Sequence, residues 1–167
     1  FKTAADMKVS GSGRDAFLAY AAGAEGIMQV QGVQLPKSEL QYLEDAINND
    51  GEALENIGKI AAAYRSIAAG LSVLPVPSEL APAHLSMVNA MARISAVSGD
   101  FARVDSDPIS TMLALSQYPK AVTALAGAFR DIGEAYEKVG ISLSSGESGA
   151  SFVNVIRSIQ ESPSSKP

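Results

Sequence analysis

Residues 40–71 read LQYLEDAINNDGEALENIGKIAAAYRSIAAGL, and this stretch decides how the chain folds. Apolar side chains recur at steps of three and four residues on both sides of INNDGE, residues 47–52, and resume in phase after it. Such spacing keeps one side of a helix against its neighbours. The pattern therefore predicts one long helix over residues 38–72, with a kink or a brief loop between roughly collinear halves at INNDGE. A hairpin of two helices at the same place is the alternative.

The acidic residues around INNDGE are not predicted to bind a metal. If Gly51 takes the sixth position of an EF-hand loop, the first and twelfth positions fall on Ala46 and Ile57, so both anchoring carboxylates are missing. We interpret INNDGE as a turn or a kink. The nearby acids are predicted to form a solvated acidic face, and they are Glu39, Glu44, Asp45, Asp50, Glu52 and Glu55.

The rest of the chain is also helical by pattern. Asp107 is a good cap and Pro108 a good first helical residue, and the apolar phase survives Pro119, which predicts one kinked helix over residues 107–139 that ends before Gly140. Further helices are predicted over residues 15–31, from Glu79 to about residue 101, and from a cap at Ser151. The predicted fold class is all-α, an up-and-down helical bundle of four or five helices with two long kinked helices.

The domain organisation follows from composition. VSGSG, residues 9–13, is polar and rich in glycine, so residues 1–13 are predicted to be a flexible N-terminal segment. Residues 14–161 are predicted to form a single helical-bundle domain, and 162–167 a flexible tail. GSGRDA, residues 11–16, matches a dinucleotide-binding fingerprint only on paper, because no strand precedes it.

Composition excludes several classes of function. The net charge is −5 over 167 residues and the basic residues are scattered, which argues against nucleic acid as a partner. The absence of cysteine excludes disulfides and thiol chemistry. No apolar run reaches the length of a membrane span. Because the chain begins at Phe1, we expect that an upstream segment was removed, and that segment could have held a signal or a membrane anchor.

No residue is predicted to be catalytic or to bind a cofactor or metal. His84 is the only histidine, and a single imidazole cannot build the usual site, so we predict a structural hydrogen bond to VLPVP, residues 73–77. The structural or interface candidates are His84, Asp107, Pro108, Tyr64, Tyr118 and Tyr136, the tyrosines at a core rim or an interface. Polar residues predicted near the apolar seams are Asn89, Arg93, Thr123 and Arg130.

Three linked segments resemble a family of helical proteins of ultra-small bacteria. They are LPVPSELAPAHLSMVNAM (74–91), DSDPISTMLALSQYPKAV (105–122) and EKVGISL (137–143). The resemblance covers roughly residues 71–143 and depends on Pro75, Pro77, His84, Asp107, Pro108 and Tyr118. It implies an exported or cell-surface location behind an N-terminal anchor, and it implies no activity or cofactor.

These observations favour a non-catalytic exported helical-bundle module that binds another protein or contributes to a surface assembly. The alternative is a helical bundle that senses or carries a small ligand. An interaction module predicts an apolar stripe exposed on one helix face. A ligand-binding bundle predicts a pocket with a few converging polar groups, such as tyrosine, arginine or asparagine.

Overall fold

The fold is all-α, as predicted. The structure is a computed structural model that describes residues 1–48 and 51–161, and it has no strand within those ranges. The predicted tail, residues 162–167, lies outside the described residues. The part of the chain that the structure describes forms six helices, α1 (Arg14–Gln31), α2 (Glu39–Ile47), α3 (Gly51–Leu71), α4 (Ala81–Phe101), α5 (Pro108–Val139) and α6 (Ala150–Glu161), with a short 3₁₀ turn at Ala4–Asp6.

The ends of α5 are those that the sequence predicts. The Asp107 carboxylate accepts a hydrogen bond of 3.0 Å from the Ser110 backbone N–H, and Pro108 follows as the first helical residue. The helix continues through Pro119. It ends at Gly140, whose φ of 67° is left-handed and favours glycine.

The prediction of a single helix over residues 38–72 is wrong. The chain forms two helices there, and α2 packs against α3. Glu39, at the start of α2, lines the same cleft as Tyr64 in the second half of α3. In one straight helix these residues would be about 37 Å apart, at a rise of 1.5 Å per residue. The two helices therefore run in opposite directions, as the hairpin alternative proposed, and Asn49 and Asp50 between them lie outside the described residues.

The reason for this error is physical. Two helices that pack on the same core each need an apolar face, so the spacing of apolar residues resumes in phase whether or not the chain reverses.

The start of α2 also carries a capping box, in which Ser38 Oγ accepts from Gln41 N and Gln41 Oε1 accepts from Ser38 N at 2.9 Å.

The core has two parts that meet along α4. The first is built by α1, the end of α3, α4, the second half of α5 and α6. The second is built by α2, the first half of α3, the end of α4 and the start of α5, and Tyr64 packs against both parts. Fully buried side chains in the two parts include Phe17, Leu71, Met87, Ile132 and Phe152 in the first, and Ile57 and Phe101 in the second.

The N-terminal segment, predicted as flexible, lies against the domain. Val76 N donates a hydrogen bond of 2.8 Å to the Lys8 carbonyl, and Ser10 N donates one of 2.8 Å to the Val76 carbonyl. The two prolines that flank Val76 keep VLPVP extended and carry no N–H of their own. The single N–H between them is thus available to pair with the chain beside it.

Helix α6 does not begin with the predicted Ser151 cap, because Ser151 lies inside the helix. Two backbone N–H groups at its start instead donate hydrogen bonds to a carboxylate of another helix. The Glu25 carboxylate of α1 accepts hydrogen bonds from Gly149 N at 2.7 Å and from Ser151 N at 2.8 Å. A negative group at a helix N-terminus is favourable, so Glu25 fixes α6 on α1.

Candidate functional site

His84 is fully buried, and its hydrogen bond differs from the prediction. The Tyr20 hydroxyl lies 2.9 Å from His84 Nδ1, and the two rings meet edge to face at 5.5 Å between centroids. The predicted partner was VLPVP, residues 73–77, so that prediction is wrong. The spacing along the chain could not show that α1 lies across the start of α4.

The Tyr20–His84 pair has the chemistry of a structural contact. Burial lowers the pKa of His84 below 6.5, while the Leu71 carbonyl acts weakly in the other direction. Nε2 has no hydrogen-bond partner within the described residues. A neutral imidazole that accepts from the Tyr20 hydroxyl at Nδ1 fits this environment, and burial also raises the pKa of Tyr20.

Tyr136, Asp107 and Pro108 have structural roles in this fold. The Tyr136 hydroxyl donates a hydrogen bond of 2.8 Å to the Phe17 carbonyl, and their rings meet edge to face at 5.0 Å. Asp107 and Pro108 start α5, as described above. Tyr136 lies close enough to Tyr20, the partner of His84, to contribute to the raised pKa of that tyrosine.

A different polar group lies at the interface of α2, α3 and α5. Glu39 is only 6% exposed, and its Oε1 atom is buried without a hydrogen-bond partner within the described residues. The prediction that Glu39 belongs to a solvated acidic face is therefore wrong. Glu39 and Tyr64 line a cleft of about 260 Å³, which we call the Glu39 cleft; its walls also include Val33, Leu35, Lys37, Ile60 and Ile67.

The Glu39 carboxylate contributes to the raised pKa of two tyrosine hydroxyls. Burial and then the negative charge of Glu39 raise the pKa of Tyr64 to about 12. The same two causes, with a hydrogen bond to Glu39, raise the pKa of Tyr118 well above its usual value of 10.0. Tyr118 also packs its ring on Phe101, with centroids 5.6 Å apart. Tyr64 and Tyr118 were predicted at a core rim, and the structure brings them together around a carboxylate.

An apolar surface lies on the outer side of α5. Ile109, Met112 and Leu113 are 80%, 72% and 60% exposed, and their spacing of three and four residues places them side by side; we call them the α5 outer face. Next to it, Leu115 of α5 and Leu40 and Ile47 of α2 line a groove of about 400 Å³, which we call the α2/α5 groove. The walls of this groove also include Leu43, Glu44 and Asn48.

The sequence interpretation missed both features. The buried face of α2 is Glu39, Tyr42 and Leu43, which are spaced three and one residues apart. Leu40 and Ile47 were assigned to the buried seam because they are apolar, yet they are 40% and 62% exposed.

The polar residues predicted near the seams are mostly on the surface. Arg93, Thr123 and Arg130 are exposed and Asn89 is half-buried. Asn89 exchanges two hydrogen bonds with the Lys2 backbone, at 2.8 and 3.0 Å. The buried polar side chains among the described residues are instead Glu39, Ser72, His84, Ser95, Ser98 and Thr111.

Comparison with known proteins adds no family. The chain matches no protein-family model, no curated protein and no solved structure. Among the described residues, none of the helices combines the length and the apolar character needed to cross a membrane. The same residues contain no group of three or more His, Cys, Asp or Glu side chains placed to hold a metal ion.

Proposed function

We propose that this protein is a non-catalytic helical-bundle module that binds another protein, and that the α5 outer face and the α2/α5 groove are its contact surface. The exposure of Ile109, Met112 and Leu113 is the observation that carries the proposal. Three large apolar side chains exposed on one helix face are typical of an interaction site. An amphipathic helix of a partner protein, or of a second copy of this chain, fits a surface of this shape.

Crosslinking from one position tests this proposal. A photoactivatable amino acid at Met112 is expected to give an adduct of discrete mass in the producing cells. The matched control is the same amino acid at Val30, which is 78% exposed on α1. The adduct from position 112 should disappear when Ile109 and Leu113 are both changed to serine. Equal labelling from positions 112 and 30, or an adduct that survives both serines, would overturn the proposal.

Self-assembly is the second form of the same proposal, and its test is separate. Light scattering of the purified protein over a wide concentration range would show a dimer or a larger assembly if a second copy occupies the surface. The triple change Ile109→Ser, Met112→Ser and Leu113→Ser should then return the protein to a monomer. A monomer at every concentration leaves only a different protein as the partner.

An exported or cell-surface location is also part of this proposal, and the resemblance of residues 71–143 supports it. Protease added to intact producing cells should digest the protein if it faces outward, while a cytoplasmic marker stays intact. Protection of the protein equal to that of the marker would contradict this location.

The Glu39 cleft favours a second candidate function, the binding of a small ligand between helices. The cleft has mostly apolar walls and a few converging polar groups, which is typical of ligand sites.

A further inference from the structure

The Glu39 carboxylate sets the chemistry of the Glu39 cleft. A buried carboxylate oxygen without a partner is costly, and proteins normally pair it with a cation or surround it with donors. Tyr118 makes a hydrogen bond to this carboxylate, but Glu39 Oε1 has no hydrogen-bond partner within the described residues. The ammonium of Lys37, the basic residue on the wall, lies 2.8 Å from Asp45. A cationic group in the cleft would supply the missing partner.

The walls of the cleft define the rest of the ligand. Val33, Leu35, Ile60 and Ile67 offer an apolar surface beside the carboxylate. The cleft has a volume of about 260 Å³, well above the 10–15 Å³ or so that a single water molecule needs, so it has room for a small organic molecule. A small molecule with a charged end and a short apolar body fits both features.

Other ligand classes fit less well. An anion would meet the Glu39 charge, and a neutral molecule without a donor would leave Glu39 Oε1 without a partner. Mg²⁺ and Ca²⁺ need about six or more oxygen ligands, while the described residues place one carboxylate, that of Glu39, on the walls of the cleft. A primary ammonium carries three N–H donors, which can reach both the Glu39 carboxylate and the Tyr64 hydroxyl oxygen.

We infer that the Glu39 cleft binds a small organic cation, a primary ammonium with a short apolar tail, through the Glu39 carboxylate and the Tyr64 hydroxyl. This inference rests on the second candidate function above. It does not depend on the α5 outer face, so the two proposals stand or fall separately.

Three probes of one length test the inference in the full chain. n-Hexylammonium, n-hexanol and n-hexanoate share the apolar tail and differ in charge, and amide chemical shifts in NMR report their binding. Hexylammonium is expected to shift the amides that surround the cleft and to bind at least tenfold more tightly than hexanol. Hexanoate is expected not to bind there.

Two variants assign the preference to Glu39. Glu39→Gln should reduce the preference for hexylammonium over hexanol at least tenfold. The matched control is Glu44→Gln, which removes the same charge from an exposed position of the same helix and should keep the preference. Tyr64→Phe keeps the carboxylate and should weaken hexylammonium binding several-fold while hexanol binding is unchanged. This second variant tests the site even if Glu39→Gln does not fold.

The possible failures are distinguishable. If hexanol or hexanoate binds as tightly as hexylammonium, the cleft is a ligand site but the ammonium class is wrong. If none of the probes shifts the amides around the cleft, the inference and the second candidate function both fail. If Glu39→Gln changes only the melting temperature and the preference persists, Glu39 is a structural residue and the inference is wrong.

Discussion

Removal of the Tyr20 hydroxyl is expected to destabilise the protein more than removal of a similar hydroxyl elsewhere in the core. Tyr20 and His84 are 1% and 0% exposed, and 2.9 Å separates the hydroxyl from Nδ1. Tyr20→Phe keeps the ring and its packing. It leaves Nδ1 of the buried imidazole without its hydrogen-bond partner.

The loss of stability depends on whether the hydrogen-bond partner of the removed hydroxyl keeps another hydrogen bond. A buried polar group that loses its partner costs about 1–3 kcal/mol, and we take ~2 kcal/mol for Tyr20→Phe. Tyr136→Phe is the matched control, because its hydroxyl donates to the Phe17 carbonyl. That carbonyl lies inside α1 and keeps its helical hydrogen bond, so only the net value of one hydrogen bond is lost, about 1 kcal/mol.

Thermal unfolding followed by circular dichroism measures the difference. A chain of this length has an unfolding entropy of about 0.35 kcal/mol per kelvin. Tyr20→Phe should therefore lower Tm by about 6 °C and Tyr136→Phe by about 3 °C. The double change Tyr20→Phe with His84→Leu removes both polar groups, so it should cost less than the sum of the two single changes.

The pH dependence gives the same prediction a second readout. The folded-state pKa of His84 lies below the 6.5 of the unfolded chain, so the unfolded state takes up a proton first as the pH falls. Stability due to neutral His84 is thus present above pH 6.5 and is lost as the pH falls through the folded-state pKa. His84→Leu should remove this part of the acid sensitivity. Equal losses in Tyr20→Phe and Tyr136→Phe, with unchanged acid sensitivity in His84→Leu, would refute the reasoning.

Three further changes test other contacts. Gly149 has a φ of 89°, and a Cβ there would lie 2.5 Å from the Ala21 Cβ, whereas Gly146, with a φ of 98°, has no atom within 4 Å of such a Cβ. Gly149→Ala should therefore lower Tm several degrees further than Gly146→Ala, which adds only backbone strain of about 1–2 kcal/mol; equal shifts would show that α1 does not constrain the turn. Glu25→Gln should speed amide hydrogen exchange in α6. Hydrogen bonds from the turn and α6 hold the pKa of the Glu25 carboxyl below 4.5. The difference in exchange rate between Glu25→Gln and the wild type should therefore fade as the pH drops through that lowered pKa. A difference in exchange rate that is unchanged in acid would contradict the capping role. The pKa of Tyr64 is about 12 in the folded state, against an ordinary 10.0, so the stability of the protein should fall as the pH rises above 10. If the charge of Glu39 contributes to this raised pKa, a spectrophotometric titration should show a lower pKa for Tyr64 in Glu39→Gln.

The parts of the fold that were predicted correctly are those encoded locally. The start of α5 at Asp107 and Pro108 and its end at Gly140 depend on residues within one turn of each boundary. The continuation of α5 through Pro119 followed from the apolar phase, because a helix that stays amphipathic past a proline remains packed on the core. The bounds of α1 and α4 were also close to those observed.

The parts that were missed depend on contacts between distant residues. Glu39 is the first residue of a helix and carries a charge, and on local grounds such a residue lies in solvent. Its burial follows only from the reversal after Ile47, which places Glu39 beside Tyr64 and Tyr118. The Tyr20–His84 pair was missed for the same reason, because 64 residues separate its members. The apolar spacing shows that a face is buried and does not identify what covers it.

The short helix α2 contributes residues to both proposed binding sites. Helix α2 has nine residues, fewer than a helix needs to be stable alone in water, so its order depends on the packing of Tyr42 and Leu43. Glu39 faces the cleft and Ile47 lines the groove. A ligand in the cleft and a partner in the groove would each bind the ordered form of α2. Each would then strengthen the binding of the other by an equal factor, because such coupling is reciprocal.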